Sequence, residues 1–200
     1  GRRQRQMCIR DSSTPEQNIS EKPSLDQDVF RAIVLALAYQ DGPASLNSVL
    51  DDIGERVYAP LLFDRLGRHY LAQRRFRDSA QSFAAFAERY PLNENSPLFK
   101  QHEIDAYLTG GFPHDARDKK KEFVRDYAVA GEYWENTTSE RRKSLMPKLD
   151  SYVIELASYY HAKAQQLEKS GKRGEALSGF KTLDRGGEMP IALNHYRDAS

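Results

Sequence analysis

The sequence predicts an all-α chain, an α-solenoid of stacked antiparallel helical hairpins. Three observations predict it. Apolar residues recur at helical spacing along most of the chain, and almost nothing alternates with period two. Glycine and proline punctuate that pattern at short intervals. Two of the helical segments are joined by only a few residues, so they must lie antiparallel.

Residues 2–11 read Arg-Arg-Gln-Arg-Gln-Met-Cys-Ile-Arg-Asp, which matches the translation of a transposase sequencing adapter. Residues 1–12 are therefore expected to be an artefact of a translated metagenomic read, outside the fold. On that reading the chain is a fragment of a bacterial protein cut at both ends. Residues 13–23 are polar, hold Pro15 and Pro23, and read as a flexible lead-in. Residues 24–200 form the helical domain.

Ser24 with Gln27 has the spacing of a capping box. The helix it opens carries Phe30, Ile33, Val34, Leu37 and Ala38, and Gly42-Pro43 stops it. A short helix through Leu46, Val49, Leu50 and Ile53 ends at Gly54. Helices over 56–73 and 76–90 follow. Phe63, Leu66, Gly67 and Tyr70 share one face of the first; Ala80, Phe83, Phe86 and Ala87 share one face of the second. Gly67 in mid-helix costs about 1 kcal/mol against alanine, which is worthwhile where a neighbouring helix approaches closely. Further helices are expected over 98–109, stopped by Gly110-Gly111, and over 116–127, with Phe123, Val124 and Tyr127 inward and Lys119, Lys120 and Lys121 outward. Thr137 with Glu140 resembles another capping box. Pro147 should kink or restart the helix there, and 149–169 reads as a long helix bearing Tyr152, Val153, Leu156, Tyr159 and Tyr160. Gly186-Gly187 and Pro190 form a loop before a last helical start.

Phe63-x2-Leu66-Gly67-x2-Tyr70, then Ser79-x3-Phe83, then Pro91 resembles the tetratricopeptide signature, with Phe for Trp and Ser for Ala. Tyr160, Ala164, Leu167, Gly171, Ala176, Phe180 and Leu183 resemble a second copy. Phe63 and Tyr160 stand 97 residues apart, not a multiple of 34, so the repeats between are expected to be irregular. The exit Phe83-Ala-Ala-Phe86-Ala-Glu-Arg-Tyr90-Pro91, followed by Pro97, is similar to repeat ends in the lipoprotein of outer-membrane β-barrel assembly and in Tol-Pal-associated periplasmic proteins. The resemblance covers roughly a third of the chain. It implies a scaffold that binds other proteins or peptides in the periplasm, associated with the outer membrane, with a lipid anchor in a preceding segment. A cytoplasmic adaptor, or the docking arm of an enzyme whose catalytic domain lies elsewhere, are the alternatives.

In such stacks the first helix of each hairpin lines a concave surface. By resemblance, the partner-binding positions are Asp64, Arg68 and Leu71 in the first copy and His161, Gln165 and Glu168 in the later one. Enzyme chemistry is not expected. The five histidines, His69, His102, His114, His161 and His195, form no metal-ligand spacing, so no metal or cofactor is expected. Gly110-Gly111 and Gly186-Gly187 lack the strand and lysine of a phosphate loop. Ser151 and Ser158 sit on a helix, not at a nucleophile elbow. Cys8, the single cysteine, lies in the adapter-like stretch. The net charge of +1 argues against a nucleic-acid binder. The Lys119–Lys121 run reads as a solvated face, and the tyrosines at 152, 159 and 160 as core between repeats.

Overall fold

Proline marks the start of four helices, where its missing N–H costs no hydrogen bond. The computed structural model describes residues 25–129 and 131–170, which form eight α-helices and no strand among the described residues. In chain order these are α1 (Leu25–Tyr39), α2 (Pro43–Ile53), α3 (Ala59–Ala72), α4 (Phe76–Arg89), α5 (Ser96–Thr109), α6 (Pro113–Asp126), α7 (Glu132–Glu135) and α8 (Ser139–Lys169). Helices α3 to α6 pack in chain order, with α4 lying between α3 and α5 and α6 between α5 and α8, while α1 packs chiefly on α3 and α2 chiefly on α4.

Four sequence expectations shift. The third helix begins at Ala59 rather than near Arg56, with Pro60 in its first turn. Thr138, not Thr137, caps α8: its Oγ1 accepts from the Arg141 N–H at 3.4 Å. That helix does not restart at Pro147 but runs through it. An internal proline costs about 3 kcal/mol. Leu145 on one side, and Leu149, Tyr152, Val153 and Leu156 on the other, are all buried, and their packing outweighs it. The fourth shift concerns the middle of the chain. Helices α3 and α5 start at 59 and 96, and α4 and α6 at 76 and 113, an offset of 37 residues in both, and all four are 14 residues long. The middle thus carries one regular interval, 37 residues and not the 34 of the resembled repeat.

The two hairpins also turn alike. At the end of α3, Arg75 N donates to Tyr70 O and Arg74 N to Leu71 O, at 2.9 and 3.0 Å. At the end of α5, Phe112 N donates to Tyr107 O and Gly111 N to Leu108 O, at 2.8 and 3.1 Å. Both are the 6→1, 5→2 helix ending that needs a left-handed residue. Gly111 supplies it at φ +78 without strain; Arg74 supplies it at φ +61, which costs about 1 kcal/mol.

Two apolar cores result. The first joins α1 through α5 around Phe63, Leu66, Phe83, Phe86 and Phe99. The Phe86 and Phe99 rings stack at 4.0 Å, and Phe63 meets Phe86 edge-on at 5.8 Å. Arg89 closes its outer side, pairing with Asp51 at 2.7 Å and Glu55 at 2.9 Å. The second joins α5 through α8 around Ile104, Phe123, Tyr127, Tyr133 and Tyr152. Its rings meet edge-on, Phe123 with Tyr152 at 5.1 Å and Tyr127 with Tyr133 at 4.9 Å.

Candidate functional site

Helical geometry puts residues four and seven apart on one face. Asp64, Arg68 and Leu71 thus share the side of α3 opposite the buried Phe63, Leu66, Gly67 and Tyr70. Arg68 Nε donates to Asp64 Oδ2 at 2.7 Å, with the arginine side chain more than half exposed. That hydrogen bond holds the guanidinium above its ordinary range. Leu71 is half-buried beside them.

The next helix extends the face. His102 on α5 packs its ring against Phe83 at 5.2 Å and Phe99 at 6.5 Å. Burial, and then the Arg68 charge, hold His102 below the usual histidine range, so it is neutral at neutral pH. The 37-residue offset places Gln101, Asp105 and Leu108 of α5 at the positions of Asp64, Arg68 and Leu71. Asp105 and Leu108 are exposed. The Asp105 charge also reaches Tyr152 of α8, where burial chiefly pushes the phenol up. Two turns of α3 and two of α5 therefore present charge of both signs around apolar side chains. The sequence reading named the α3 positions and none on α5. The signal was present: Pro60, Tyr70, Phe86 and Tyr90 recur 37 residues on as Pro97, Tyr107, Phe123 and Tyr127.

The later expected positions stand apart. His161 and Gln165 are exposed on the last turns of α8, their Nε2 atoms 2.9 Å apart. Glu168 lies in the same helix, its side chain outside the described residues, as are Gly171, Ala176, Phe180 and Leu183 of the second copy, the loop around Pro190 and His195. Ser24 and the adapter-like stretch also lie outside them. Among the described residues no hydrogen bond or ion pair joins His161 and Gln165 to Asp64 and Arg68.

The lysine run is not a solvated face. Lys119 reaches inward to Glu103, which is only 1% exposed, at 3.3 Å, and to Glu122 at 2.9 Å. Lys100, 7% exposed, completes the cluster 3.2 Å from Glu103. Burial pushes the Glu103 carboxyl up against the pull of both lysines. Burial also opposes the Lys119 charge, but Glu122 and Glu103 outweigh it and hold the ammonium above the usual lysine range. Lys120 pairs with Glu155 of α8, and Lys121 with Asp118 at 2.7 Å. Lys119 turns toward Glu103 of α5, while α8 brings tyrosines over the rest of the helix. Lys120 lies 5.1 Å from the Tyr152 ring, Lys121 5.6 Å from Tyr160, and Arg117 3.5 Å from Tyr159.

Among the described residues no group of three or more His, Cys, Asp or Glu side chains could hold a metal ion. No helix among them is long and apolar enough to cross a membrane. No protein-family model, curated protein or solved structure matches the chain.

Proposed function

We propose that the chain is a tetratricopeptide-like repeat scaffold that binds a partner protein across the exposed face of α3 and α5, within a bacterial envelope complex. The observation that carries this reading is the 37-residue repetition of one hairpin, helix for helix and turn for turn, in α3–α4 and α5–α6. A unit that recurs in this way stacks to bury its inner face and leaves its first helices in a row. The period is close to the 34 residues of the tetratricopeptide unit, and the Phe63–Tyr70 and Ser79–Pro91 pattern occupies the first unit. In that row Asp64, Arg68 and Leu71 stand beside His102, Asp105 and Leu108, a mixture of charge and apolar area suited to an extended peptide or a partner helix. The envelope setting rests on the resemblance of the Phe83–Pro91 exit alone.

The test exchanges the charges of one ion pair. Asp64→Arg with Arg68→Asp keeps an i,i+4 pair on α3 but inverts the pattern that a partner meets. Captures from a bacterial envelope extract and a cytoplasmic extract are compared by mass spectrometry for the parent and the exchanged variant. The expected outcome is envelope proteins held by the parent, lost by the variant, with the melting temperature unchanged. Identical capture by both would remove the α3–α5 face from the reading, and capture only from cytoplasm would remove the envelope from it.

A further inference from the structure

The two junctions between successive units are closed differently. At the first, α5 seals α4: the Phe83 ring lies against Phe99 and His102 at 6.1 and 5.2 Å, and Phe76 lies against Gly110. At the second, the positions of Phe76, Ala80 and Phe83 are Pro113, Arg117 and Lys120. Here α8 covers α6 incompletely, and a groove of about 420 Å³ stays open between the end of α5, α6 and α8. That volume falls within the roughly 300–1,000 Å³ of ligand-holding pockets. Leu108 and Ile154, each about half exposed at 47% and 55%, line it with Tyr159.

We propose that this groove is a second docking site, for a segment of a partner protein that carries a bulky aliphatic side chain beside a carboxylate. The aliphatic part follows from the lining, where Leu108 and Ile154 would leave water on insertion of such a side chain. The carboxylate follows from Arg117. Its guanidinium lies over the Tyr159 ring, 3.5 Å from the centroid, a contact that holds the group in place and leaves N–H donors for a planar acceptor. Its hydrogen-bonding neighbour is the His114 ring, at 3.3 Å. Among the described residues no carboxylate lies within ion-pair range of it. The other charges on the groove cancel, since Lys120 is bound to Glu155. The groove therefore presents one fixed guanidinium beside an apolar trough. Because stacking has already ordered the arginine, a bidentate carboxylate meets it at little further entropic cost.

The full chain is immobilised and used to select from a random dodecapeptide library displayed on phage. The expected result is enrichment of peptides with Leu, Ile or Met within four positions of Asp or Glu. Binding of the enriched peptides should fall about tenfold or more in Arg117→Glu and in Ile154→Asp, the size of one lost charge-assisted pair. It should fall less in Arg117→Lys and not at all in Arg68→Glu, whose face belongs to the other proposed surface. Circular dichroism melts of each variant keep folding separate from binding, and Arg117→Lys carries the test should Arg117→Glu not fold. Failure to enrich, enrichment without an acidic residue, affinity untouched by both Arg117 variants, or loss in Arg68→Glu would each overturn the second site and leave the α3–α5 reading where it stood.

Discussion

The units α3–α4 and α5–α6 have the same helix lengths, the same turn and the same proline, yet three interior positions are filled differently. Phe63, Leu66 and Ser82 of the first become Lys100, Glu103 and Lys119 of the second, at the same 37-residue offset. All six face inward. Phe63, Leu66 and Ser82 are fully buried, and Lys100, Glu103 and Lys119 form the ion cluster. Phe86 and Phe123 keep the ring between them in both units, each fully buried. The backbone architecture is thus set by lengths, prolines and turn geometry, and it accepts either a dry or a charged filling. The fillings differ in what they tolerate. An apolar side chain can be trimmed at the cost of a cavity, whereas an ion removed from a buried cluster leaves its partners uncompensated.

That contrast gives the largest expected effects. Phe86→Ala should lower stability by about 4 kcal/mol in urea unfolding, because the ring is fully buried and touches Phe63, Phe99 and Tyr90. Glu103→Ala should cost about 3 kcal/mol, for the different reason that Lys100 and Lys119 lose their buried carboxylate and keep only the part-exposed Glu122. Recovery separates the two. Replacing the cluster together, with Lys100→Met, Glu103→Leu and Lys119→Met, should return stability to within about 1 kcal/mol of the parent or above it, as apolar replacements of buried ion clusters do. A triple variant as unstable as Glu103→Ala would mean that the second unit needs its charges.

Gly67 sharpens the comparison at one position. A methyl group there would sit 2.6 Å from the Phe83 ring, which is itself buried against α5. The second unit carries Ile104 at the same position, fully buried, with Lys120 where Phe83 would be. The gap is filled from α4 by Phe83 in the first unit and from α5 by Ile104 in the second. Gly67→Ala should therefore destabilise by about 2 kcal/mol through overpacking, although alanine is the better helix former by about 1 kcal/mol. Relief of the loss by Phe83→Leu would locate its source in the ring; a stabilised Gly67→Ala would show that α4 can move away.

Much of the first unit was legible because its inner face is written in apolar residues at helical spacing, and a glycine inside a helix points to a close neighbour. The Asp64, Arg68 and Leu71 positions came instead from the resemblance to the repeat signature. The second unit was concealed by its own chemistry. A pattern of inward apolar residues cannot register Lys100, Glu103 and Lys119 as interior, and three consecutive lysines read as surface. Proline and aromatic positions 37 residues apart carried the repetition instead, and the α5 half of the face with it. The groove beside Arg117 could not be read at all, since it depends on how far α8 stands from α6. Pro147 marks another limit: a local rule predicts a kink or a restart, and packing on both sides carries the helix through it.

The smallest effect expected is a pH slope, and it divides two adjacent residues of α5, one packed on each core. His102 is buried against Phe83 and Phe99 and lies in the field of Arg68, so its folded form holds a proton less readily than the unfolded chain does, despite Asp64 and Asp105. The unfolded histidine takes up its proton near pH ~6.5. The stability that His102 contributes is therefore fully present above that value and is lost as pH falls through the lowered folded one. Glu103 runs the other way. Burial raises its pKa, so its contribution is present below the unfolded glutamate value of ~4.3 and is lost as pH rises through the folded one. Between pH 7.5 and 5.5 the parent should lose more stability than His102→Gln, and the difference between them should close above pH 7. Parallel curves for the two proteins would place the acid sensitivity outside the α3–α5 face.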